Sequence, residues 1–288
     1  AKKYEVELFY GQSNIGVIGS VSVAGGAGTD TITIADAEWA SGIFCGGKGM
    51  KIDIRNAGDS ALVQTVTIKS VDFETKTLTL EEDTAVGVVA SCLLKPYNAH
   101  GKQAAGLVKI MSNTGSLFDI DAASYELWKG NVVAVGGAIT FSKLVKAITK
   151  AAEKGLDKDV VAIVSLSSWD ALMQDQAALA NSTRRHVSEY NSKKIENGAE
   201  SLVFHTVTGS IQIIASSYCK EGYGFIFSPE EMARIGATDI TFSLPGMPDQ
   251  FLLQSANNAG YEMRCYLNAG LFCKSPGKTV LLTGITHV

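Results

Sequence analysis

At 288 residues, with 46% hydrophobic and 19% charged residues, the chain is long enough for two compact units and a sizeable core. Its formal net charge of −4 gives no basic field that would hold nucleic acid by counterion release. No apolar run approaches the roughly 20 residues of a membrane-spanning helix, so no membrane partner is expected.

Residues 1–10 (AKKYEVELFY) alternate as a strand does, with Tyr4, Val6, Leu8 and Tyr10 on one face and Glu5 and Glu7 on the other. The stretch lacks the apolar centre of a secretion signal. Ala1 in first place fits either loss of an initiator Met or cleavage of a longer precursor. From Val17 to about Leu94 nearly every segment is alternating or β-branched: TITIAD (31–36), GMKIDIR (49–55), ALVQTVTIKSVDF (61–73), KTLTLEE (76–82) and GVVASCLL (87–94). Gly, Asp and Asn turns separate them, and Glu74–Lys76 reads as a hairpin tip. Five short strands in some 80 residues predict a small barrel or sandwich.

After KPYNAHGK (95–102) the character changes. ITFSKLVKAITKAAEKG (139–155) predicts an amphipathic helix, with Leu144, Val145, Ile148 and Ala152 inward and Lys143, Lys146, Lys150 and Lys154 outward. Gly155 is placed to cap its C-terminus. A buried strand, VVAIVSL (160–166), and a second helix, SSWDALMQDQAALA, follow. The polar segment 181–201 reads as a loop. Strands return at 201–207, 210–216 and GYGFIFS. The last of these leads into SPEE, which predicts a helix capped by Ser228, with Pro229 in its first turn and Glu231 completing a capping box. Lys220 and Glu221 read as turn residues, Arg234 as a surface partner of Glu231, and residues 251–285 as strands.

Chemistry is hard to find. The four histidines (100, 186, 205 and 287) are scattered, with no partner at metal-ligand spacing, and His287 reads as part of a frayed end. GGAGTD and GGKGMK are glycine-rich but lie among strands, so no helix dipole backs them as phosphate loops. GQSNIG (11–16) departs from the nucleophile-elbow spacing by one residue. Asp119 and Asp121 share a face but read as turn residues. The five cysteines (45, 92, 219, 265 and 273) have no CxxC pairing, and they predict buried free thiols in a reducing compartment. No catalytic, cofactor-binding or metal-binding residue is assigned, no cofactor is expected, and the chain does not read as an enzyme.

Three stretches carry a resemblance: ITFSKLVKAITKAAEKG, DKDVVAIVSLSSWDALMQDQAAL, and GSIQIIASSYCKEGYGFIFSPEEMARIG (209–236) with the strand-rich segment after it. From about residue 101 onward their order resembles the major capsid (coat) proteins of tailed bacteriophages, the Hong Kong 97 type fold that encapsulin shells share. The resemblance implies an α+β chain with an extended arm or loop (1–16) and a β-barrel-like insertion (17–95). It further implies a peripheral domain with a spine helix (96–159 and 253–288) and an axial α/β domain (160–252). By the same resemblance the protein is a structural subunit whose pentamers and hexamers close into an icosahedral shell around double-stranded DNA. Its expected partners are copies of itself, a scaffold, a portal and decoration proteins, with weak non-specific contact to packaged DNA. The implied location is the virion, assembled in the host bacterial cytoplasm. Some members of the family weld subunits by a lysine–asparagine bond, but no residue pair here is matched to one. The alternatives are an encapsulin-like compartment and, from another class, a glycan-binding module built on 17–95, where Trp39 is the only tryptophan.

Overall fold

The computed structural model describes residues 2–287 apart from 24–29, 158, 183–201, 207–208, 245, 248–249 and 256–257. The loop expected at 181–201 and most of GGAGTD therefore lie outside the described residues.

The N-terminal segment is a helix, α1 (Lys2–Tyr10), not the strand its alternation suggests. Val6 and Tyr10, one helical step of four apart, are both buried, and the Phe9 ring meets Phe225 edge-on at 5.3 Å. An inward face at i, i+3 and i+4 explains the apolar residues as well as alternation does, and the neighbouring core decides between them.

Six strands then close into a barrel: β1 (Gly16–Ser22), β2 (Thr31–Ile34), β3 (Lys51–Arg55), β4 (Leu62–Asp72), β5 (Thr77–Leu80) and β6 (Leu93–Pro96), in the order β1-β2-β5-β4-β3-β6. Alternate residues fill it. Ile18, Ile32, Ile34, Ile52, Ile54, Val66, Ile68, Leu78, Leu80 and Leu94 are all essentially inaccessible. Closure leaves no edge to pair with a neighbour, and β-branched side chains suit the crowded interior. The Asp72↔Thr77 register puts the β4–β5 turn at 73–76, around the expected tip. A short helix, α2 (Ser41–Phe44), adds Phe44 to the same core.

Beyond the barrel come α3 (Leu107–Met111), a small hairpin of β7 (Ser116–Leu117) and β8 (Ile120–Asp121), and β9 (Asn131–Gly137). The amphipathic helix is α4 (Phe141–Ala152), capped by Thr140, whose side chain accepts from the Lys143 N–H. Its buried face is Phe141, Leu144, Ala147, Ile148 and Ala151, so Val145 and Ala152 sit at the margin of the stripe. Gly155 ends it as expected. At φ +94° it lets its own N–H reach the Ala152 carbonyl and the Leu156 N–H reach Ala151, the paired bonds of a Schellman cap.

Then follow β10 (Val160–Val164), α5 (Leu166–Ser182), β11 (Leu202–Thr206), β12 (Gly209–Ala215) and β13 (Gly224–Phe227). β14 (Met232–Thr241), β15 (Leu252–Gln254), β16 (Tyr261–Met263), β17 (Tyr266–Cys273) and β18 (Val280–Ile285) complete the chain. One mixed sheet, β11-β12-β10-β13-β18-β9, takes strands from both sides of α4 and from the C-terminus. Val160, Ala162, Val164, Ile211, Ile213, Ile226 and Leu282 pack with α4 and with Leu172 of α5 in one core. Phe225 and Leu281 belong instead to the core shared with α1 and the barrel. The sheet is thus covered on both faces, which fits its apolar strands.

The helix expected after Ser228 is reduced to a single 3₁₀ turn, Pro229–Glu231, and Ser228 makes no capping bond. The chain goes straight into β14, which pairs antiparallel with β17 from Met232↔Cys273 onward. Glu231 pairs with Lys278 at 2.7 Å, not with Arg234, whose guanidinium donates to the Thr238 carbonyl. The ladder to β17 and the Lys278 partner lie far along the sequence, so a local capping pattern could not register them.

The barrel carries a partly buried charge cluster. Asp59 receives Lys95 Nζ at 2.6 Å and Arg55 Nε at 2.7 Å, with His100 Nδ1 at 3.5 Å. Partial burial pushes the Asp59 carboxyl up, but Lys95, Arg55 and His100 together outweigh it and hold the group below its ordinary value of 3.8. A depressed folded-state acid adds stability above that value and loses it as pH falls through the folded pKa. Asp59→Asn is therefore expected to lower stability at neutral pH and to flatten the acid limb below pH 3.8, read by chemical denaturation across pH.

Candidate functional site

Lys220 is, with Asp30, one of the two most heavily buried charged residues among those described. Its side chain is 1% exposed, in the turn between β12 and β13, and it is not the surface turn residue its sequence context suggests. Its Nζ donates to Glu38 Oε2 at 2.5 Å, to Asn14 Oδ1 at 2.5 Å and to the Asn14 carbonyl at 3.1 Å. Three acceptors match the three donors of an ammonium. The Tyr10 and Tyr223 ring centres lie 4.6 and 5.4 Å from Nζ. Tyr223 donates its hydroxyl to the other Glu38 oxygen at 2.8 Å, and the Tyr10 hydroxyl donates to the Tyr218 carbonyl while accepting the Lys220 N–H. Burial pulls the Lys220 ammonium below the ordinary lysine range, and Glu38 only partly restores it. Burial likewise pushes the Tyr10 and Tyr223 hydroxyls up.

Three segments distant in sequence build this cluster. Asn14 follows α1 and is held by the Ile15 N–H donating to the Leu94 carbonyl of the barrel. Glu38 lies on a 3₁₀ turn, Asp36–Glu38. The turn at 219–223 is clamped to it by Glu221 N–H to Trp39 O and Gly222 N–H to Ala37 O. Gly222 is required there, because an added Cβ would lie 2.7 Å from the Ala37 methyl and 2.8 Å from its carbonyl.

A second cluster superficially resembles a serine–histidine–acid set. Ser168 Oγ is 3.4 Å from His287 Nε2, which is 3.2 Å from Glu221 Oε2 and 3.0 Å from its carbonyl. All three contacts fall on the same ring nitrogen, whereas a proton relay needs the hydroxyl on one nitrogen and the acid on the other. Ser168 is also fully buried. The arrangement is instead a cap for α5: Ser165 Oγ accepts the Ser168 N–H at 3.1 Å and lies 3.2 Å from Glu221. His287 is thereby tied down, not frayed.

Other sequence candidates fall into structural roles. Asp121 accepts from the Ala123 N–H beyond its hairpin. GGKGMK is a turn, with Gly46 and Gly49 at positive φ. His205 lies in β11 opposite Ser210, and His186 is outside the described residues. Cys92, Cys219 and Cys273 are buried, whereas Cys45 and Cys265 are exposed, so the expectation of five buried thiols fails for two. Burial raises the Cys219 thiol, and that of Cys273 is pushed up to about 11, which suppresses thiolate formation at both. Trp39 is 4% exposed and stacked on Phe44 at 5.2 Å, so it is no platform for a sugar ring.

The last feature is a surface. β14 and β17 form one two-stranded ribbon, and β15 and β16, which lie between them in sequence, form another; Ile235, Ile240, Tyr261 and Met263 on these strands, and Phe242 and Phe251 directly beside them, are each at least 45% exposed.

Removing one partner of a buried ion pair costs about 3–5 kcal/mol, while replacing both is often neutral. Lys220→Met is expected to lose stability in that range in urea denaturation, and Lys220→Met with Glu38→Gln to recover most of it.

The sequence matches no family model and no curated protein. Among solved structures the chain is similar to one from the capsid asymmetric unit of cyanophage A-1(L), at TM-score 0.45 and 11% identity, over 66% of this chain and 62% of that one. It is similar to the holo-SrpI encapsulin complex from Synechococcus elongatus PCC 7942 at TM-score 0.36 and 10% identity, over 55% of each chain. A virus-like particle from Pyrococcus furiosus matches at TM-score 0.32 and 12% identity, over 53% of this chain and 55% of that one. The chain thus spans less than two thirds of the length of each, and the structures it is similar to are those of a phage capsid, an encapsulin and a virus-like particle.

Proposed function

We propose that the chain is the principal shell subunit of a tailed bacteriophage, closing as pentamers and hexamers into an icosahedral container for double-stranded DNA. The observation that carries this reading is the apolar ribbon. The ribbon's base packs into the body through Met232, Leu271, Phe272 and Cys273, but the large apolar side chains farther along it stay exposed and mark a surface meant for a partner. In a shell every subunit is flanked by copies of itself, so each ribbon finds a neighbour without any further protein.

Within this reading, 96–159 and 253–288 form the peripheral region and 160–252 the axial one, joined through the pairing of β13 with β18. The barrel at 17–95 stands as an added unit without free edges. Lys146 and Lys150 are exposed on α4, and on a chain of net charge −4 they would give only weak, non-specific contact with packaged DNA. Scaffold, portal and decoration proteins are the further partners, the virion is the location, and the host cytoplasm is the place of assembly.

Electron microscopy of the expressed chain, alone and with the scaffold co-expressed, is expected to show capsomers or closed shells. A folded monomer that never assembles under either condition overturns the proposal, and shells that enclose a protein cargo instead of DNA favour the compartment reading. Ile240→Asp with Phe251→Asp places charges on exposed positions, where stability changes stay within about 0.5 kcal/mol. Assembly is expected to fail in that variant with its melting temperature unchanged.

A further inference from the structure

We propose that β9 is a self-association edge: two copies of the chain pair their β9 strands antiparallel across a two-fold axis, joining their central sheets into one. β9 stands at the end of the order β11-β12-β10-β13-β18-β9, with β18 as its single neighbour. One row of its N–H and C=O groups therefore has no strand to meet, and such a row is a template for another chain. Edges of this kind are ordinarily guarded by lysine, proline, an inward charge or a bulge. NVVAVGG (131–137) holds no charged residue and no proline. Its one irregularity falls at the far end, between the partners of Thr283 and Ile285, where Gly136 and Gly137 take φ of +58° and +124°. Residues 131–134 run in unbroken register with 280–283. The Asn131 side chain is turned back to donate to the Gly277 and Thr279 carbonyls, so it does not guard the edge either.

The side chains beside the edge point the same way. Strand alternation sends Val133 and Val135 into the core under α4, and Val132 and Ala134 to the opposite face. On that face Leu281, the β18 partner of Val132, is buried in the core shared with α1 and the barrel. One strand farther out the cover has ended: Val132 is 47% exposed, and Ala134 is exposed as well. An apolar strip thus lies directly beside the open row of backbone groups, and a strand laid along β9 meets both.

The occupant that fits is a second β9. Antiparallel pairing about Val133 sets Val132 against the partner's Ala134 and Asn131 against the partner's Val135. A segment can pair with its own copy in this way only if no residue meets its own charge, because like charges directly opposite destabilise a sheet. Residues 131–135 have no charge to meet. The strands β15 and β16, which also have free edges, are three residues each and too short to cover 131–135. An uncharged run of valine and alanine has no means of selecting a foreign sequence, whereas a copy supplies the matching one by symmetry. The contact needs only two chains, so it is independent of whether the protein builds a shell.

Cysteine pairing tests the register. Cys45 and Cys265, which are exposed, are first changed to serine. Val132→Cys and Ala134→Cys chains in that background are co-expressed, oxidised mildly and run on a denaturing gel without reductant. Covalent dimer is expected at several times the level given by either chain alone, since opposed positions come within disulfide reach and diagonal ones do not. Equal yields, or no dimer from the co-expressed pair, overturn the proposal. A charge test reads the same register without cysteine. Val132→Asp with Ala134→Asp sets acid against acid across the axis, while Val132→Lys with Ala134→Asp sets each lysine against an acid. Both positions are exposed, so either chain should fold. Amide hydrogen exchange in 131–135 is expected to slow with rising protein concentration in the wild type and the lysine–aspartate chain, but not in the double-aspartate chain. Protection that ignores concentration, or that survives in the double-aspartate chain, sinks the pairing. Particles that assemble while these tests fail leave the shell reading in place and remove the pairing alone, and paired β9 strands without particles do the reverse.

Discussion

A lysine with 1% of its side chain exposed must find every partner inside the protein, and here those partners come from segments that share nothing in sequence. Asn14 belongs to the passage from the first helix into the barrel, Glu38 to a turn beside the barrel, and Lys220 to the turn linking two strands of the central sheet. The Lys220 cluster therefore fixes how barrel, helix and sheet meet. Apolar packing across this junction, such as Phe9 on Phe225, is strong but tolerant of small slides. An ammonium whose three N–H donors meet three oxygen acceptors is not, because any slide leaves a charge uncompensated. Gly222 allows the necessary approach, and the two backbone bonds beside it hold the turn in register.

The parts legible in the sequence are those whose cause is local. Each barrel strand shows its inward face as alternation, because period two is a property of the strand itself. The Gly155 cap was legible for the same reason, since a left-handed position needs a residue without a Cβ. The parts that were not legible have distant causes. AKKYEVELFY satisfies both a strand and a helical face, and the choice is made by Phe225, more than 200 residues away. SPEEMARIG carries helix-start chemistry, yet β17 pulls it into a ladder. NVVAVGG (131–137) carries two glycines and gives little strand signal, but β18 recruits it as the sheet's edge.

The Lys220 cluster was hidden more deeply. In KEGYG the lysine stands next to glutamate and glycines, the composition of an exposed turn, and no neighbouring residue reveals that it points inward. Its partners GQSNIG and DAEW likewise read as ordinary turns. A buried charge leaves a trace in a single sequence only when its counter-charge is at helical or hairpin spacing. Glu38 and Lys220 are 182 positions apart.

The molecule settles its two kinds of surface by opposite means. Around the barrel every strand has two partners, and the sheet behind it is covered on both faces and open only at its two end strands. The ribbon is the reverse: two strands with free outer edges and apolar faces, the geometry most prone to indiscriminate pairing. Glu262 and Arg264 pair with one another along it at 2.9 Å, and charges of this kind discourage random stacking without covering the apolar positions. A ribbon guarded in this way and anchored to a rigid body can wait for a surface of matching shape. In the proposed shell the anchoring of the ribbon's base matters, because a partner surface repeated at fixed angles is met only by an element held in place. The buried lysine and the exposed ribbon are in that sense one design, the first fixing the frame from which the second projects.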